Sequence, residues 1–412
     1  MAEWKIKNKK ADFDAIAKDH GISPMLARIL VNRDITDPEE IRRYLKGDLT
    51  MLNDPHLLKD MDKAVSILSE HIDAGKKILI IGDYDADGIC SSYILKKGLK
   101  ALSCTASVRL PDRVADGYGM NRKMVDEAIE NGIDLILTCD NGIAAYDEII
   151  YAKENGIAVI VTDHHEVPYD EGEEKTYRIP GADAVVDPKR PDCKYPFKDI
   201  CGGVVAYKLI GCLYEKYGFA PDKILALLPY AAFATIEDIM PLKDENRIIV
   251  KYGLEAIKNS RDPGINALIN AAGIDRSTLT TYQIGFIMGP CVNATGRLDT
   301  ADRALELFLS EDPVKAAAIA SELKDLNAAR KEIQASFTDA AINMIEEDES
   351  FKDDTVLVVY IPDCHESLAG LIAGKLREKY EKPAFVMTRT DEAVKGSGRS
   401  IEAYDMFAEM NK

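Results

Sequence analysis

The sequence predicts an α/β protein in which a parallel β-sheet flanked by helices is joined by a long helix to a smaller α/β unit. From residue 76 onward, short apolar runs alternate with amphipathic helical patterns, which is typical of a sheet with helices on both faces. Residues 312–348 then form one uninterrupted helical pattern. A further apolar run, TVLVVYI, precedes a helical pattern and another strand, and these begin the smaller unit.

This pattern divides the chain into segments that differ in their expected structure. The short helices of the first segment include one with an Asp-Pro start, and the long helix also begins at such a pair, Asp312-Pro313. The segments are an N-terminal helical region, the main sheet domain, the connecting long helix and the smaller unit, at residues 1–75, 76–310, 311–349 and 350–412. Because the last segment is short for a domain, we expect it to be incomplete at Lys412.

The composition is that of a soluble globular protein, with 46% hydrophobic and 30% charged residues. There is no secretory signal and no apolar run of membrane-spanning length, and the eight cysteines show no CxxC spacing, so we expect reduced thiols in a cytoplasmic protein. The net charge of −18 argues against a general polyanion-binding surface. A nucleic-acid substrate would therefore require a local basic groove or bound cations.

Acidic and histidine side chains follow three of the predicted strands. In parallel sheets, ligands bind at the carboxyl ends of the strands, so these groups are expected to meet at one edge. They are Asp83, Asp85 and Asp87 after the first strand, Asp140 after the second, and Asp163, His164 and His165 after the third.

So many carboxylates at one edge would repel one another unless cations compensated them. Carboxylates with one or two imidazoles suit Mn²⁺, or Mg²⁺, better than Zn²⁺. An isolated DxD is more often a turn or a helix cap, but two of only six histidines lie at one of these strand ends. Because neither a P-loop nor a GxSxG motif is present, the residues predict a metal-dependent phosphoesterase.

The motifs DYDADG, CDNG and TDHH resemble the first three motifs of the DHH phosphoesterases, a family named for a triplet like Asp163-His164-His165. Within it, the chain is most similar to the RecJ exonucleases, which degrade single-stranded DNA in the 5′→3′ direction. The similarity covers nearly the whole chain and includes RLPDRVADGYGMN, CGGVVAYKL, ATIEDIMPL, GPCVNATGRLDTA, IPDCHESLAGLIAGKL and KGSGRSI. The last two resemble the start of a DHHA1 domain, so the fold expected is a DHH sheet joined to a partial DHHA1 domain.

The resemblance implies a site for two ions of Mn²⁺ or Mg²⁺. Asp83 would bind one ion, Asp85 the other, and Asp140 both. His164 and Asp238 would complete the second site; without the resemblance, Asp238 reads as a helix-end acid.

Further residues are expected to support catalysis or to bind the substrate. His165, Asp87 and Asp163 would orient the ligands or contact phosphate, whereas Asp187 is left out of the metal set because RecJ proteins usually carry Asn there. The expected substrate-binding residues are Arg399, Ser397 and Gly398 in a terminal-phosphate pocket, His365 at the start of the DHHA1 helix, and Arg109, Arg113 and Arg297 as contacts to the DNA backbone.

Two departures from the family pattern bear on the substrate. Leu79 stands four residues before Asp83, where the pyrophosphatase and small-nucleotide branches carry a metal-binding histidine, and this favours RecJ. The GGH-type motif of DHHA1 domains and the OB-fold of RecJ are not found before Lys412. We therefore expect a truncated chain, or one with weak DNA binding.

The resemblance implies a metal-dependent 5′→3′ exonuclease that releases 5′-mononucleotides from single-stranded DNA in repair and recombination. It would act as a cytoplasmic monomer, away from membranes, with a single-strand-binding protein and a helicase as partners. Two alternatives stay open: a phosphodiesterase for short oligonucleotides or small nucleotides, and a non-catalytic scaffold like the replication factor Cdc45.

Overall fold

The computed structural model describes residues 6–170, 175–390 and 393–410, without the side chains of residues 352, 407 and 408. In chain order its strands are β1 (Ile78–Ile81), β2 (Ser107–Arg109), β3 (Leu135–Cys139), β4 (Ala158–Thr162), β5 (Tyr169–Asp170), β6 (Thr176–Tyr177), β7 (Ala184–Val186), β8 (Leu357–Tyr360), β9 (Ala384–Arg389) and β10 (Val394–Arg399).

The helices surround these strands and fill most of the segment between β7 and β8. In chain order they are α1 (Phe13–His20), α2 (Pro24–Asn32), α3 (Pro38–Lys46), α4 (Met61–Asp73), α5 (Ala86–Ala101), α6 (Arg122–Glu130), α7 (Tyr146–Glu154), α8 (Gly202–Lys216), α9 (Leu228–Glu237), α10 (Asp244–Lys258), α11 (Pro263–Ala271), α12 (Thr281–Gln283), α13 (Gly289–Leu298), α14 (Asp302–Leu309), α15 (Pro313–Glu347), α16 (Glu366–Tyr380) and α17 (Met406–Met410). A π-helical turn, Ile284–Met288, joins α12 to α13.

The main sheet is parallel throughout, with the strand order β2-β1-β3-β4-β7. The chain leaves β1 for β2 at one edge and then crosses back to β3 on the other side of β1. Strand order therefore reverses between β1 and β3, and a crevice forms at the carboxyl ends of such a pair. The predicted α/β fold with a parallel sheet is confirmed.

Both faces of this sheet are buried, because the side chains of each strand alternate between two hydrophobic cores. Ile78 and Ile80 pack in the larger core with α5, α8 and α9. Leu79 and Ile81 point the other way, into the core formed with α6 and α7. This packing holds the strand ends rigidly enough to position the side chains that follow them.

A buried ion pair attaches the N-terminal region to the main domain. The Lys208 ammonium lies 2.9 Å from Glu245 Oε2, and Glu245 also accepts hydrogen bonds from the Tyr195 hydroxyl and the Asn53 N–H. Lys208 in turn donates to the Asn53 carbonyl at 3.0 Å. Since loss of either partner would leave an unpaired buried charge, this network fixes the segment before α4 in place.

The long helix α15 has 35 residues and is capped by Asp312, as predicted. Its first half contributes Ile319 and Leu323 to the large core, and its end contributes Ala341 and Ile345 to a separate core under the second sheet. That sheet has the order β10-β9-β8 and packs against α16. The exact limits of the predicted domains stay a prediction.

The apolar pattern KILALLPYAAFATIEDI has helical spacing but does not form one regular α-helix. Residues Pro221–Leu227 form a 3₁₀ helix, and α9 begins only at Leu228. Pro229 explains the break, because it has no N–H and is accommodated best in the first turn of a helix. Within the described ranges, no helix is both long and apolar enough to cross a lipid bilayer.

Candidate active site

Three aspartates meet where the strand order reverses. Asp83 and Asp85 follow β1, Asp140 follows β3, and carboxylate oxygens of the three lie within 4.8 Å of one another. Asp83 is 1% exposed and Asp140 is 2% exposed. Asp140 has a φ of 61°, in the left-handed region, which is costly for most residues and is concentrated at functional sites.

His164 connects these aspartates to a second group of donors. Its Nε2 atom lies 2.9 Å from Asp140 Oδ1, 3.5 Å from Asp87 Oδ2 and 3.7 Å from Asp238 Oδ2. Donor atoms of Asp87, His164 and Asp238 lie within 4.8 Å of one another, as do those of Asp140, His164 and His165. The structure thus places all five expected metal ligands in one continuous cluster.

The ends of two helices fix the first motif. Asp85 caps α5, because its Oδ1 atom accepts from the N–H groups of Asp87 and Gly88. Both oxygens of Asp87 accept from the N-terminus of α8, at 2.8 Å from the Gly202 N and 2.7 Å from the Gly203 N. Free N–H groups at a helix N-terminus stabilise a carboxylate, so Asp87 anchors α8 beside the cluster.

Asp163 organises the third motif. It accepts hydrogen bonds from the N–H groups of Ile143, His164 and His165, and from His165 Nδ1 at 2.7 Å. Burial disfavours the His165 imidazolium, but the hydrogen bond and charge of Asp163 outweigh it and raise the pKa of His165 to about 9. Asp163 therefore favours the protonated form of His165, which lies at the open side of the cluster.

Tyr118 was not among the predicted site residues. Its hydroxyl donates to the Asp140 carbonyl at 2.9 Å and lies 3.1 Å from His165 Nε2. Its ring packs edge-on against Tyr84 at 6.3 Å. The only signal in the sequence was its place in the segment RLPDRVADGYGMN.

The electrostatics of the cluster fit bound divalent cations. Burial raises the pKa of Asp83 and of Asp140, and the charges of neighbouring aspartates raise both further. Among the described residues, several buried side-chain atoms near the cluster have no hydrogen-bond partner, and they are Asp83 Oδ1 and Oδ2, His164 Nδ1, Asp187 Oδ2, Glu237 Oε1 and Asp238 Oδ2. Unpaired buried oxygens are costly, and hard divalent cations would satisfy those of Asp83 and Asp238.

Asp187, excluded from the predicted metal set, lies close to the third motif. It is fully buried, and one of its oxygens accepts from the Lys189 N–H at 2.7 Å. Burial, and then the charge of Asp163, raise its pKa to about 8. It therefore belongs to the surroundings of the cluster.

Glu237 is a second residue that the sequence did not single out. Its Oε2 atom accepts from the Asn293 amide at 3.0 Å, and Asn293 in turn accepts from the Ala86 N–H at 2.9 Å. Gly289 leaves space for the Glu237 carboxyl, because a Cβ at position 289 would lie 1.6 Å from Glu237 Cδ. Burial, and then the charge of Asp85, raise the pKa of Glu237 well above its usual range. Glu237 thus connects α9, α13 and the first motif.

We expect Glu237→Ala to weaken Mn²⁺ binding about 10-fold, the lower end of the loss seen when a group that orients metal ligands is removed. The reason is that Asn293 would lose its acceptor and hold the first motif less firmly. Glu237→Gln should keep most of the affinity, because the amide resembles the neutral acid in size and can still accept. Calorimetric titration of Mn²⁺ into the metal-free variants measures this, and equal affinities in all three proteins would contradict the role.

A basic pocket of about 290 Å³ lies beside the cluster, between the main domain and the second sheet. Its cations come from both sides, and they are Arg113, Arg297, Lys395 and Arg399. Burial, and then the charges of Arg113 and Arg330, lower the pKa of Arg297 to about 10. Cations that repel one another at close range are stabilised by a bound anion, so this pocket suits a phosphate group.

Bonds across the interface hold this pocket together. Arg297 donates to the Ser367 carbonyl at 2.8 Å, and the Ser367 hydroxyl donates to the Arg297 carbonyl at 3.0 Å. Arg399 donates to Ser397 Oγ at 3.3 Å and to the Gly398 carbonyl at 2.7 Å. Gly370 allows Arg399 and Ser397 to lie against α16, because a Cβ there would lie 2.7 Å from each.

Three predicted substrate-binding residues are not among those that line this pocket, and one of them, Gly398, contributes only the carbonyl that accepts from Arg399. The other two are Arg109 and His365. The Arg109 guanidinium is held by Glu127, Asp116 and the Leu110 carbonyl, so its donors are occupied within its own domain. His365 caps α16, with its Nδ1 atom 2.7 Å from Ser367 Oγ. Both residues support local structure in the described part of the chain.

Comparison with known proteins gives consistent results. The model of the DHH family, N-terminal domain, matches residues 77–233. The single-stranded-DNA-specific exonuclease RecJ of Bacillus subtilis is 36% identical in an alignment of 412 positions, which covers 99% of this chain and 50% of that protein. RecJ of Salmonella typhimurium is 34% identical in an alignment of 399 positions, which covers 93% of this chain and 67% of that protein.

Solved structures of RecJ proteins share the fold. RecJ from Thermus thermophilus in complex with Mn²⁺ has a TM-score of 0.78 at 30% identity, covering 94% of this chain and 53% of that one. An exonuclease RecJ bound to manganese has a TM-score of 0.72 at 32% identity, and the match covers 86% of this chain and 85% of that one. The chain thus spans about half the length of the Bacillus subtilis and Thermus relatives.

Proposed function

Because this chain belongs to the RecJ family of DHH phosphoesterases, we propose that it is a metal-dependent hydrolase that degrades single-stranded DNA from its 5′ end. The observation that carries the proposal is the donor cluster directly beside a basic pocket. Tyr84 lies between Asp83 and Asp85 in the chain and also lines the pocket. A terminal phosphate bound there would leave the first phosphodiester at the cluster, and cleavage would release a 5′-mononucleotide.

We propose two ions of Mn²⁺ or Mg²⁺, with Asp83 at one, Asp85, His164 and Asp238 at the other, and Asp140 at both. Such ions supply a water of lowered pKa and neutralise charge on the phosphoryl oxygens. Among the protein groups, Asp163 orients His165 and favours its protonated form, so that the imidazolium can stabilise a phosphoryl oxygen whose negative charge increases in the transition state.

We further propose a cytoplasmic monomer that acts in repair and recombination, on strands supplied by a helicase and a single-strand-binding protein. All eight cysteines are buried and form no disulfide, which is consistent with a reducing compartment. With a net charge of −18, the positive groups that contact DNA must be local ones, such as those of the basic pocket.

The same site would also serve a phosphodiesterase for short oligonucleotides, and a labelled-strand assay separates the two. We expect Mn²⁺ to give immediate mononucleotide release from a 5′-labelled strand and a ladder from a 3′-labelled one. A labelled dinucleotide tests the alternative, and cleavage of the dinucleotide alone would replace the proposal by it. Binding of DNA and Mn²⁺ without any cleavage would instead support a scaffold.

A further inference from the structure

The chain from Thr281 to Leu298 forms one continuous helical segment. It consists of α12, the π-helical turn and α13, and the residues at both junctions keep right-handed helical backbone angles. π-Helical turns are rare, and they occur frequently at functional sites. The second half of this segment belongs to the active site, because it carries Asn293 and Arg297.

The first half of the segment carries an exposed aromatic pair. Tyr282 is 63% exposed and Phe286 is 66% exposed. Their rings are stacked, with centroids 4.9 Å apart and planes inclined by 26°. Two large rings held parallel on the surface are unusual for a face that contacts only water, since an aromatic side chain gains most when it is covered.

This pair lies on the same helical segment as two active-site residues. Phe286 precedes Asn293 by seven residues and Arg297 by eleven, and the segment between them is helical throughout. The segment also lies against the end of α9, because a Cβ at Gly285 would be 3.4 Å from Ile236 Cγ2. Two residues after Ile236 is the candidate ligand Asp238.

The helical segment presents these groups in a fixed order. Arg297 lines the phosphate pocket, Asn293 bonds the first metal motif through the Ala86 N–H, and the aromatic pair follows. At about 1.5 Å per residue, Phe286 lies roughly 16 Å along the helix from Arg297. That length spans about five nucleotides of a stacked strand at about 3.4 Å each, and fewer of an extended one.

We infer that Tyr282 and Phe286 form a stacking platform for nucleobases of the single strand on the 3′ side of the bond being cut. The inference rests on the proposed function, because it takes the polarity of the strand from the phosphate pocket and the metal cluster. Every base has an aromatic face, so such a platform holds a strand without reading its sequence. Stacking also contributes binding affinity that does not depend on positive charge, in a chain whose net charge is −18.

An aromatic pair four residues apart can also serve only to stabilise its own helix. The two roles differ in what their loss would change. A helix-stabilising pair would affect folding and all substrates alike, whereas a platform would affect only substrates long enough to reach it.

The first test compares a long 5′-phosphorylated strand with a 5′-phosphorylated dinucleotide. We expect Tyr282→Ala/Phe286→Ala to raise the KM for the long strand about 10-fold, within the usual value of a stacked base. The KM for the dinucleotide and the melting temperature should be unchanged. Tyr282→Phe/Phe286→Tyr should behave like the unmodified protein, and so should Tyr169→Ala/Tyr177→Ala, which removes the aromatic pair of the β5–β6 hairpin.

A second test needs no catalysis. Strands with 2-aminopurine at successive positions from the 5′ end are bound to the Asp140→Asn protein, and quenching of the fluorescence should peak between the second and sixth bases. The peak should disappear when Tyr282 and Phe286 are also replaced by Ala. An unchanged peak, or an equal loss of activity on the dinucleotide, would overturn the platform. If the unmodified protein cuts neither substrate, the proposed exonuclease function fails, while the binding test still decides the platform.

Discussion

Asp140→Asn should reduce hydrolysis of single-stranded DNA by more than about 1000-fold while leaving the protein folded. Asp140 is the residue that touches both halves of the cluster, through Asp83 and Asp85 on one side and His164 on the other. Its amide would lose a negative charge that two cations share, and a loss of about 4 kcal/mol in transition-state stabilisation corresponds to this factor.

The same substitution should leave the metal-free protein at least as stable as before. Burial and the neighbouring aspartates already disfavour the Asp140 carboxylate, as its raised pKa shows. An amide of nearly the same size removes that repulsion. At a Mn²⁺ concentration 100 times its Kd, binding would stabilise the unmodified protein against unfolding by about 2.7 kcal/mol. In the Asp140→Asn variant this stabilisation should largely disappear.

Thermal unfolding with and without Mn²⁺, together with the rate on a labelled strand, measures both effects. Asp147→Asn is the matched control, because it makes the same chemical change at an exposed acid in the first turn of α7 that belongs to none of the donor groups. Hydrolysis that survived in the Asp140 variant would refute the role given to this cluster.

The part of the site that follows the strands could be predicted from sequence, and the part built by tertiary contacts could not. Parallel strands end at one edge, so the positions of Asp83, Asp140 and His164 follow from the order of the strands alone. Asp238 comes from the end of α9, after a long helical segment, and only the family motif identified it.

Glu237 and Asn293 show most clearly why the sequence was insufficient. Neither residue type is unusual in a helix, and their importance comes from an interhelical hydrogen bond and from the space above Gly289. Arg109 shows another limit of the sequence: its DNA contact stays a prediction, and the sequence did not indicate that Glu127 and Asp116 would accept from its guanidinium. In each case the deciding partner is distant in the chain or belongs to another element.

Arg399→Ala should lower kcat/KM about 100-fold on strands with a 5′-phosphate and change little on strands with a 5′-hydroxyl. Burial, and then the charges of Arg377 and Arg113, lower the pKa of Arg399, and no carboxylate of the described residues is ion-paired with its guanidinium. A terminal phosphate would supply an anion, and a hydrogen bond to a charged group is worth about 1.5–3 kcal/mol. The pocket also contains the first turn of α16, whose N-terminus favours anions.

Steady-state kinetics on the two strands, identical except for the terminal phosphate, separate this role from a general effect of charge. Arg389→Ala is the matched control, since it removes an exposed arginine from β9 outside the pocket. An equal loss on both strands would mean that Arg399 supports the cleft without recognising the phosphate. A loss confined to the phosphorylated strand would mean that the second sheet positions the substrate by its 5′ end, and that the metal cluster cuts at the distance this pocket sets.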